Sequence, residues 1–325
     1  MKVVVQKYGG TSVASKEKLD VIVNNIIKEK EQGNSVVVVV SAQGKTTDKL
    51  ISLAKEYVKD NYPREMDILL STGELQTVAL LTMMLQEKHC DAIGLSGAQA
   101  GIVTNSKFSR AQIVSILENN LIKLLNENKV VVVAGFQGVD KFGNITTLGR
   151  GGSDLSAVAI ASALKAEKCE IYTDVDGVFS GDPNIIHNAS LMQNISYEEM
   201  LQAATCGAKV LHNRSVSVAR KYKLPIVVKH FSRSNGGTVV MEKRETLEEY
   251  GPKLITFEKD LIKISLVGDG MFSNIDYLGK VYELAREMNV KIYMVSCNEI
   301  SLSIAVNASD AEKFGNRIHD DIMLK

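Results

Sequence analysis

Residues 35–42 read SVVVVVSA, with five consecutive valines and no polar face. A strand that is apolar on both sides must be covered above and below, as in a parallel sheet enclosed by helices. Similar short runs recur along the chain, namely KVVVQ (2–6), DAIGLSG (91–97), KVVVVAGF (129–136), CEIYTDV (169–175) and LPIVVKH (224–230). This repetition predicts an α/β fold with a mostly parallel sheet.

Helical patterns separate these runs, with apolar residues at positions i, i+3 and i+4. The predicted helices are Lys16–Glu31, Thr72–Glu87, Ser109–Asn128 and Leu155–Ala166. Strand and helix alternate in this way as far as about residue 235, which predicts one α/β sandwich domain over residues 1–240.

The texture of the sequence changes after residue 240. Residues 241–260 are charged and lack periodicity, so we predict a linker there, and residues 261–325 follow the order βαββα of a small α+β domain. Ser309 is predicted to cap its last helix. The run ISLSIAV (300–306) is predicted as an exposed edge strand, which a second copy of the chain would cover in a homodimer or higher oligomer.

Composition limits the class of protein. The 325 residues contain 38 Lys and Arg against 38 Asp and Glu, so no basic field is present to bind nucleic acid. The N-terminus lacks the pattern of a secretory signal, and no uninterrupted apolar run approaches the roughly 18 residues of a membrane span. The four cysteines are far apart without metal-ligand spacing. We therefore expect a cytoplasmic protein that binds no membrane and has no resident metal site.

Four glycine-rich segments follow predicted strands: KYGGTS (7–12), SAQGKTTD (41–48), SGAQAG (96–101) and GRGGSD (149–154). Such junctions suit phosphates, because bare backbone N–H groups can reach the oxygens. Two common phosphate motifs are excluded. Val39 stands where a P-loop needs its first glycine, and Asp154 stands where a dinucleotide fingerprint needs its last.

Each ionisable residue in these segments has a structural alternative. Lys7 is either a solvated surface lysine or a phosphate ligand, and Asp154 either caps a helix or belongs to a site. Glu74, placed in the first turn of its predicted helix, would favour the helix dipole in any case. Residues 172–184, YTDVDGVFSGDPN, form either an elaborate turn or the edge of a nucleotide or Mg²⁺ site.

Six segments, in this order, resemble the aspartate kinases of the amino-acid kinase family. They are KYGGTSV (7–13), VVSAQGKTTD (39–48), STGELQTVALL (71–81), TLGRGGSDLSA (147–157), YTDVDGVFSGDP (172–183) and GAKVLH (207–212). The resemblance implies a three-layer amino-acid kinase sandwich that transfers the γ-phosphoryl group of MgATP to the side-chain carboxylate of L-aspartate. The products would be 4-phospho-L-aspartate and ADP, in the first step toward lysine, threonine and methionine. Residues 261–325 resemble an ACT domain, the amino-acid-sensing module of these enzymes.

The resemblance also implies roles for individual residues. Lys7, Gly9 and Gly10 would neutralise the transferring group, and Asp154 would orient Lys7. Thr47, Glu74, Arg150 and Ser153 would bind aspartate, with Arg150 on its α-carboxylate and Glu74 on its ammonium group. The predicted nucleotide ligands are Lys7, Ser41, Thr173, Asp174, Phe179, Asp182, Lys209 and Val210.

The chain departs from the family pattern in several places. Phe179 replaces a frequent tyrosine, and Asn184 replaces a frequent arginine. We expect residues 261–325 to form one ACT repeat rather than the usual two. Ile275 and Asp276 replace a common Pro-Gly at the loop-to-helix turn, so inhibition by lysine or threonine is a hypothesis here. Two alternatives stay open: a catalytically weak regulatory or assembly protein, and a kinase with another acceptor carboxylate.

Overall fold

The computed structural model describes residues 2–208, 210–233, 236–242, 252–256, 260–268 and 275–323. The chain divides into two compact units, Met1–Thr256 and Phe257–Lys325. Of the predicted linker 241–260, residues 243–251 and 257–259 lie outside the described residues. The domain limits of the sequence analysis therefore stay a prediction.

The first unit has twelve named strands and seven named helices in its described part. In chain order these are β1 (Val3–Tyr8), α1 (Lys16–Glu31), β2 (Ser35–Val40), α2 (Thr46–Tyr57), α3 (Pro63–Glu87), β3 (Ala92–Leu95), β4 (Ile102–Thr104), β5 (Ile113–Ile116), α4 (Asn119–Asn126), β6 (Val130–Ala134), β7 (Gln137–Val139), β8 (Ile145–Thr147), α5 (Gly152–Ala163), β9 (Lys168–Thr173), β10 (Asn194–Ser196), α6 (Tyr197–Thr205), α7 (Asn213–Tyr222), β11 (Ile226–His230) and β12 (Thr238–Met241).

An eight-stranded sheet forms the centre of this unit, in the order β10-β12-β11-β9-β1-β2-β6-β3. All its pairs are parallel except β11 with β12. Alternate residues of the apolar runs enter two separate cores. One core holds α1 and α3, and the other holds α4, α5, α6 and α7. The predicted three-layer α/β sandwich is confirmed.

All six apolar runs are strands of this sheet, and α1 has the predicted limits. The helix predicted over Ser109–Asn128 is wrong in its first half, where Ile113–Ile116 forms β5 and pairs with β4. Here β-branched residues and a pairing partner outweigh a helical spacing of apolar positions. Strands β5, β4, β7 and β8 make a second, four-stranded sheet.

Helix α3 begins at Pro63, nine residues before the predicted start, with proline in its first turn. Its length and composition would allow it to cross a membrane. Val78, Leu81 and Leu85 instead pack into a core of the sandwich, and Asp67 and Glu74 are buried along the same helix. These contacts are those of a core helix.

The second unit contains β13 (Leu261–Val267), α8 (Ile275–Glu287), β14 (Ile292–Asn298), β15 (Ser301–Asn307), α9 (Ala308–Ile318) and a π-helical turn (His319–Met323). This order is the predicted βαββα. Two details were wrong. The strand β15 is central in the antiparallel sheet β13-β15-β14 rather than at its edge, and Asn307 rather than Ser309 caps α9.

Candidate active site

Lys7, Ser41 and Thr173 lie where parallel strands of the large sheet end. Strand β1 lies between β2 and β9, and the chain leaves β1 through α1 toward β2. The carboxyl ends of β1, β2, β6 and β9 therefore open onto one edge of the sheet, where the direction of strand succession changes. Open α/β sheets bind ligands in the crevice at such a point.

Lys7 and Asp154 form an ion pair at this crevice. The Lys7 Nζ lies 2.6 Å from the Asp154 Oδ1, and the two side chains are 12% and 13% exposed. Lys7 is therefore not a solvated surface lysine. Asp154 is in the first turn of α5, but the N-cap is Gly151 and no side chain caps the helix. The capping alternative for Asp154 is wrong, and its carboxylate joins α5 to β1.

Gly9 and Gly10 continue β1 toward this pair. A Cβ on Gly9 would lie 3.3 Å from the Lys7 Nζ, and one on Gly10 would lie 2.8 Å from the Ala42 carbonyl oxygen. In the described part of the chain, the N–H groups of Gly10 and Thr11 donate to no protein acceptor. The turn thus presents bare backbone donors beside an ammonium group, a combination that suits an anion.

Glu74 reaches the crevice from α3 and is 3% exposed. Its Oε1 accepts the N–H of Ala42 at 3.1 Å, and its Oε2 has no hydrogen-bond partner among the described residues. Burial raises the pKa of Glu74 to about 7, against the opposing effect of the Ala42 N–H. Because α3 begins at Pro63, Glu74 lies far beyond the first turn, and the helix-dipole interpretation is wrong.

Three further polar residues were predicted to line the site, namely Ser153, Ser41 and Thr47. Ser153, in the first turn of α5, packs on Gly135 at the end of β6, where a Cβ would lie 2.8 Å from the Ser153 Cβ. Ser41 directly follows β2, and its N–H donates to the Tyr8 carbonyl at 3.2 Å. Thr47 lies half-buried in the first turn of α2. That these three side chains line the crevice stays a prediction.

Arg150 is exposed and makes no hydrogen bond or ion pair with any described residue. It sits between Gly149 and Gly151, whose φ angles are +74° and +69°. This left-handed backbone favours glycine and turns the loop sharply. The guanidinium is therefore available to a ligand.

The structure reveals supports for this loop that sequence reasoning missed. Asp67 is fully buried and accepts the Ser109 N–H, the Thr147 N–H and the Thr147 hydroxyl, at 2.7–3.0 Å. Arg214 of α7 donates to the carbonyl of Leu148. A charge within the otherwise apolar stretch MDILL (66–70) was the available signal for Asp67, whereas no local pattern marks Arg214.

The predicted nucleotide residues do not all lie at the ends of the strands beside Lys7. Thr173 ends β9 beside β1, and its hydroxyl donates to the Asp174 Oδ1 at 3.0 Å. Phe179 forms an isolated bridge with Leu191, and Asp182 accepts two hydrogen bonds from Asn184. Neither Phe179 nor Asp182 forms a hydrogen bond or ion pair with Lys7 or Asp154 in the described chain.

The segment GAKVLH is only partly described. Lys209 lies outside the described residues, and Val210 is half-buried shortly before α7. His212 follows, with its ring against Gly151. Burial lowers the pKa of His212, as does Arg214, while Asp154 raises it. The predicted nucleotide segment therefore leads to the loop that carries Arg150.

Among the described residues, no group of three or more His, Cys, Asp or Glu side chains could hold a metal ion. The chemical groups of the crevice are thus an ammonium group, bare N–H donors, an exposed guanidinium and two buried carboxylates. They can bind an anionic group and a zwitterion, but they contain no paired nucleophile and base.

Comparison with known families gives two matches along the chain. Residues 2–230 match the model described as the amino acid kinase family, and residues 264–322 match a model of the ACT domain. The first match contains the crevice, and the second covers most of the βαββα unit.

Curated relatives and solved structures agree with these matches. The aspartokinase of Bacillus sp. (strain MGA3) is 44% identical over 318 residues, covering 96% of this chain and 77% of that protein. That of Geobacillus stearothermophilus is 48% identical over 268 residues, covering 82% of this chain and 66% of that protein. This chain therefore spans about two thirds to three quarters of their length.

Crystal structures of Escherichia coli aspartokinase III are similar to this chain. The complex with lysine and aspartate has a TM-score of 0.82, and the complex with aspartate and ADP has one of 0.77. Each is 25% identical and covers 94% of this chain and 79% of the other.

Proposed function

The chain belongs to the amino acid kinase family, and on that premise we propose that it is an aspartate kinase. It transfers the γ-phosphoryl group of ATP to the side-chain carboxylate of L-aspartate, giving 4-phospho-L-aspartate and ADP. This is the first step toward amino acids derived from aspartate. The observation that carries the assignment is the shielded Lys7–Asp154 pair beside the bare N–H groups of Gly10 and Thr11.

The composition of the crevice suits this reaction. The acceptor carboxylate has an ordinary pKa near 4 and is already ionised at neutral pH, so no general base is needed. A carboxylate oxygen forms the new bond to the γ-phosphorus while the bond to the bridging oxygen of ADP breaks, and no proton is transferred. The protein's task is positioning and neutralising charge.

Lys7 and the glycine turn perform that neutralisation. We assign the Lys7 ammonium group and the bare N–H groups of Gly10 and Thr11 as donors to the phosphoryl group, and a Cβ on Gly9 would come within 3.3 Å of that ammonium group. Asp154 fixes the direction of the Lys7 side chain through the 2.6 Å ion pair. The residues present therefore fit a triphosphate.

Aspartate binds through its charges at both ends. The exposed guanidinium of Arg150 is suited to the α-carboxylate, and the unpartnered Oε2 of Glu74 is suited to the α-ammonium group. Thr47 and Ser153 complete the polar wall. In the proposed complex, the side-chain carboxylate of aspartate faces Lys7.

Nucleotide binding is assigned to Ser41, Thr173, Asp174, Phe179, Asp182, Lys209 and Val210. Mg²⁺, when bound, supplies additional positive charge on the phosphates. Since no cluster of three metal-binding side chains occurs among the described residues, the ion would be held chiefly by phosphate oxygens and water. Asp154, which contacts Lys7, and Asp174, which directly follows β9, are the carboxylates we assign to the surroundings of the phosphates.

We also assign an effector, an oligomeric state and a cellular location. The complex of a similar aspartokinase with lysine supports lysine as the first effector to test, with threonine as the second. A homodimer would form through the exposed edges of the small sheet, β13 and β14, since β15 is central. The balanced charge and separated cysteines favour a cytoplasmic location.

The deciding experiment measures ADP release from MgATP with and without L-aspartate. The wild-type chain is compared with Lys7→Ala and Asp154→Ala, and with Lys16→Ala as a matched control, because Lys16 forms an exposed pair with Asp20. We expect aspartate-dependent turnover that is lost in the two site variants and retained in the control. No turnover with aspartate by folded protein would favour another acceptor or a regulatory protein.

A further inference from the structure

The loop that carries Arg150 is closed by one backbone hydrogen bond of its own, from the Gly152 N–H to the Gly149 carbonyl at 3.0 Å. Arg150 lies between two glycines in left-handed conformation, and its guanidinium has no partner in the described chain. Glycine loses more conformational freedom on ordering than any other residue. If this loop is to present Arg150 in one position, neighbouring elements must hold it.

Arg214 holds the entrance of the loop. Its two terminal nitrogens donate to the carbonyls of Leu148, at 2.5 Å, and Ala111, at 2.9 Å. Leu148 and Ala111 are both fully buried, and the Ala111 N–H donates to the Thr147 carbonyl. The guanidinium thus bridges two adjoining segments, one of which ends two residues before Arg150.

His212 holds the exit of the loop. A Cβ on Gly151 would lie 2.3 Å from the His212 Cγ, so the imidazole rests directly against the Gly151 backbone. The His212 Nδ1 accepts the N–H of Arg214 at 3.3 Å and caps α7. The same helix terminus therefore supports both sides of Arg150.

We propose that His212 and Arg214 are positioning residues that fix the loop 148–151 and thereby the binding position of Arg150. Both terminal nitrogens of Arg214 are engaged by protein carbonyls, so it acts on the loop rather than on substrate. The identity of the ligand of Arg150 rests on the proposed function, whereas the ordering of the loop does not.

The first test measures loop order without substrate. Hydrogen–deuterium exchange of peptides covering residues 147–152 is compared between wild type and Arg214→Met. Arg220→Met is the matched control, because Arg220 lies on the same helix in an exposed pair with Glu198. We expect exchange about tenfold faster in Arg214→Met and unchanged in the control. Unchanged exchange in Arg214→Met would overturn the proposal.

The second test measures the Michaelis constants of the same proteins. Arg214→Met should raise the KM for aspartate about tenfold and change the KM for ATP by less than about twofold. Arg214→Lys should resemble Arg214→Met, because one ammonium group cannot reproduce the planar fork. Equal losses for both substrates, accompanied by a lower melting temperature, would indicate a general structural role and contradict the proposal.

His212 provides an independent rescue. The Asn side chain in His212→Asn offers an oxygen that can replace Nδ1 as the helix cap, whereas His212→Ala offers none. Because Asn keeps the helix cap but not the ring against Gly151, we expect loop exchange in His212→Asn to be faster than in wild type and slower than in His212→Ala. Equal rates in the two variants would contradict the capping role, and wild-type rates in both would overturn the role of His212 in holding the loop. If the wild-type chain fails to phosphorylate aspartate, the proposed function fails, and the exchange rates alone decide this inference.

Discussion

The Nζ of Lys7 and the Oδ1 of Asp154 lie 2.6 Å apart, joining the carboxyl end of strand β1 to the first turn of helix α5. Both side chains are largely shielded from water, so each charge depends on the other for compensation. In the proposed reaction this pair serves two purposes: it stabilises the fold locally, and it keeps an ammonium group directed at the transferring phosphoryl group.

Substitutions at Lys7 and Asp154 distinguish the stabilising role of the pair from its role in the reaction. We expect Asp154→Asn to lower kcat by about 100- to 1000-fold and to cost up to about 3 kcal/mol in the free energy of unfolding, because Lys7 loses its counter-ion. The double variant Lys7→Met/Asp154→Asn should recover much of the stability but none of the activity. ADP release and urea unfolding measure the two quantities.

The exposed pair Lys16–Asp20 provides the control for that prediction. Asp20→Asn should change the free energy of unfolding by less than about 0.5 kcal/mol and leave kcat unchanged. A double variant with restored turnover would contradict the role of Lys7 in charge neutralisation.

Glu74 predicts a pH dependence in aspartate binding. Burial raises its pKa from 4.5 to about 7, so the carboxylate that pairs with the substrate ammonium is present above pH 7 and is lost below it. The KM for aspartate should rise roughly tenfold per pH unit as the pH falls below 7, since aspartate itself does not titrate between pH 5.5 and 7. In Glu74→Gln the KM should be high and independent of pH over this range.

The same group makes stability depend on pH in the opposite sense. A raised pKa in the folded state means that the contribution of Glu74 is most favourable below pH 4.5 and is lost as the pH rises toward 7. Glu74→Gln should therefore become more stable than wild type as the pH increases from 5 to 8, by on the order of 3 kcal/mol at most. Thermal melting at pH 5 and pH 8 measures the difference, and an equal gap at both values would contradict it.

The sequence predicted the sheet well because the sheet depends on local composition. The valine runs at 36–40 and 130–133 are apolar on both faces, and the structure buries them completely, as a parallel sheet covered by helices requires. The first half of the helix expected over 109–128 failed because Ile113–Ile116 has a strand partner distant in sequence. Pairing of that kind leaves no periodic signal.

In the candidate site, too, local sequence features were predictable and contacts between distant residues were not. Lys7 and Asp154 could be named because each lies in a glycine-rich segment, and the structure places them in contact. Arg214 could not be named, since its importance comes from reaching a carbonyl 66 residues earlier in the chain. Positioning residues of this kind act through tertiary contacts, and a single sequence does not reveal such contacts.

We predict that replacing the Asp67 carboxylate by an amide lowers the stability of the fold strongly. Its carboxylate accepts the N–H groups of Ser109 and Thr147 and the Thr147 hydroxyl, so all its partners are donors. In Asp67→Asn the NH₂ group would face one of these donors. We expect a loss of about 2–4 kcal/mol in the free energy of unfolding by urea.

Asp60→Asn serves as the control for Asp67, because Asp60 is exposed shortly after α2. It should change stability by less than about 0.5 kcal/mol. If Asp67→Asn were equally mild, the buried carboxylate would not be holding the segments that flank Arg150.

We predict that substitution of Asn184 by arginine leaves the kinase activity intact. Its backbone N–H and side-chain amide both donate to the Asp182 Oδ1, at 2.9 and 3.0 Å, and the residue is exposed. Asn184→Arg keeps the backbone donor and extends a cation into solvent. We expect kcat within about twofold of wild type and a KM for ATP that is equal or lower.

Asn188, which is exposed and nearby in the sequence, serves as the control position for Asn184→Arg. Asn188→Arg adds the same charge to the same loop without the contact to Asp182. A KM for ATP lowered only in Asn184→Arg would mean that a cation at position 184 reaches the phosphates, so that the loop 179–184 borders the nucleotide. A large fall in kcat confined to Asn184→Arg would mean that the Asp182–Asn184 turn itself is required, and Asp182 would then act through the backbone it shapes rather than through direct contact with ATP.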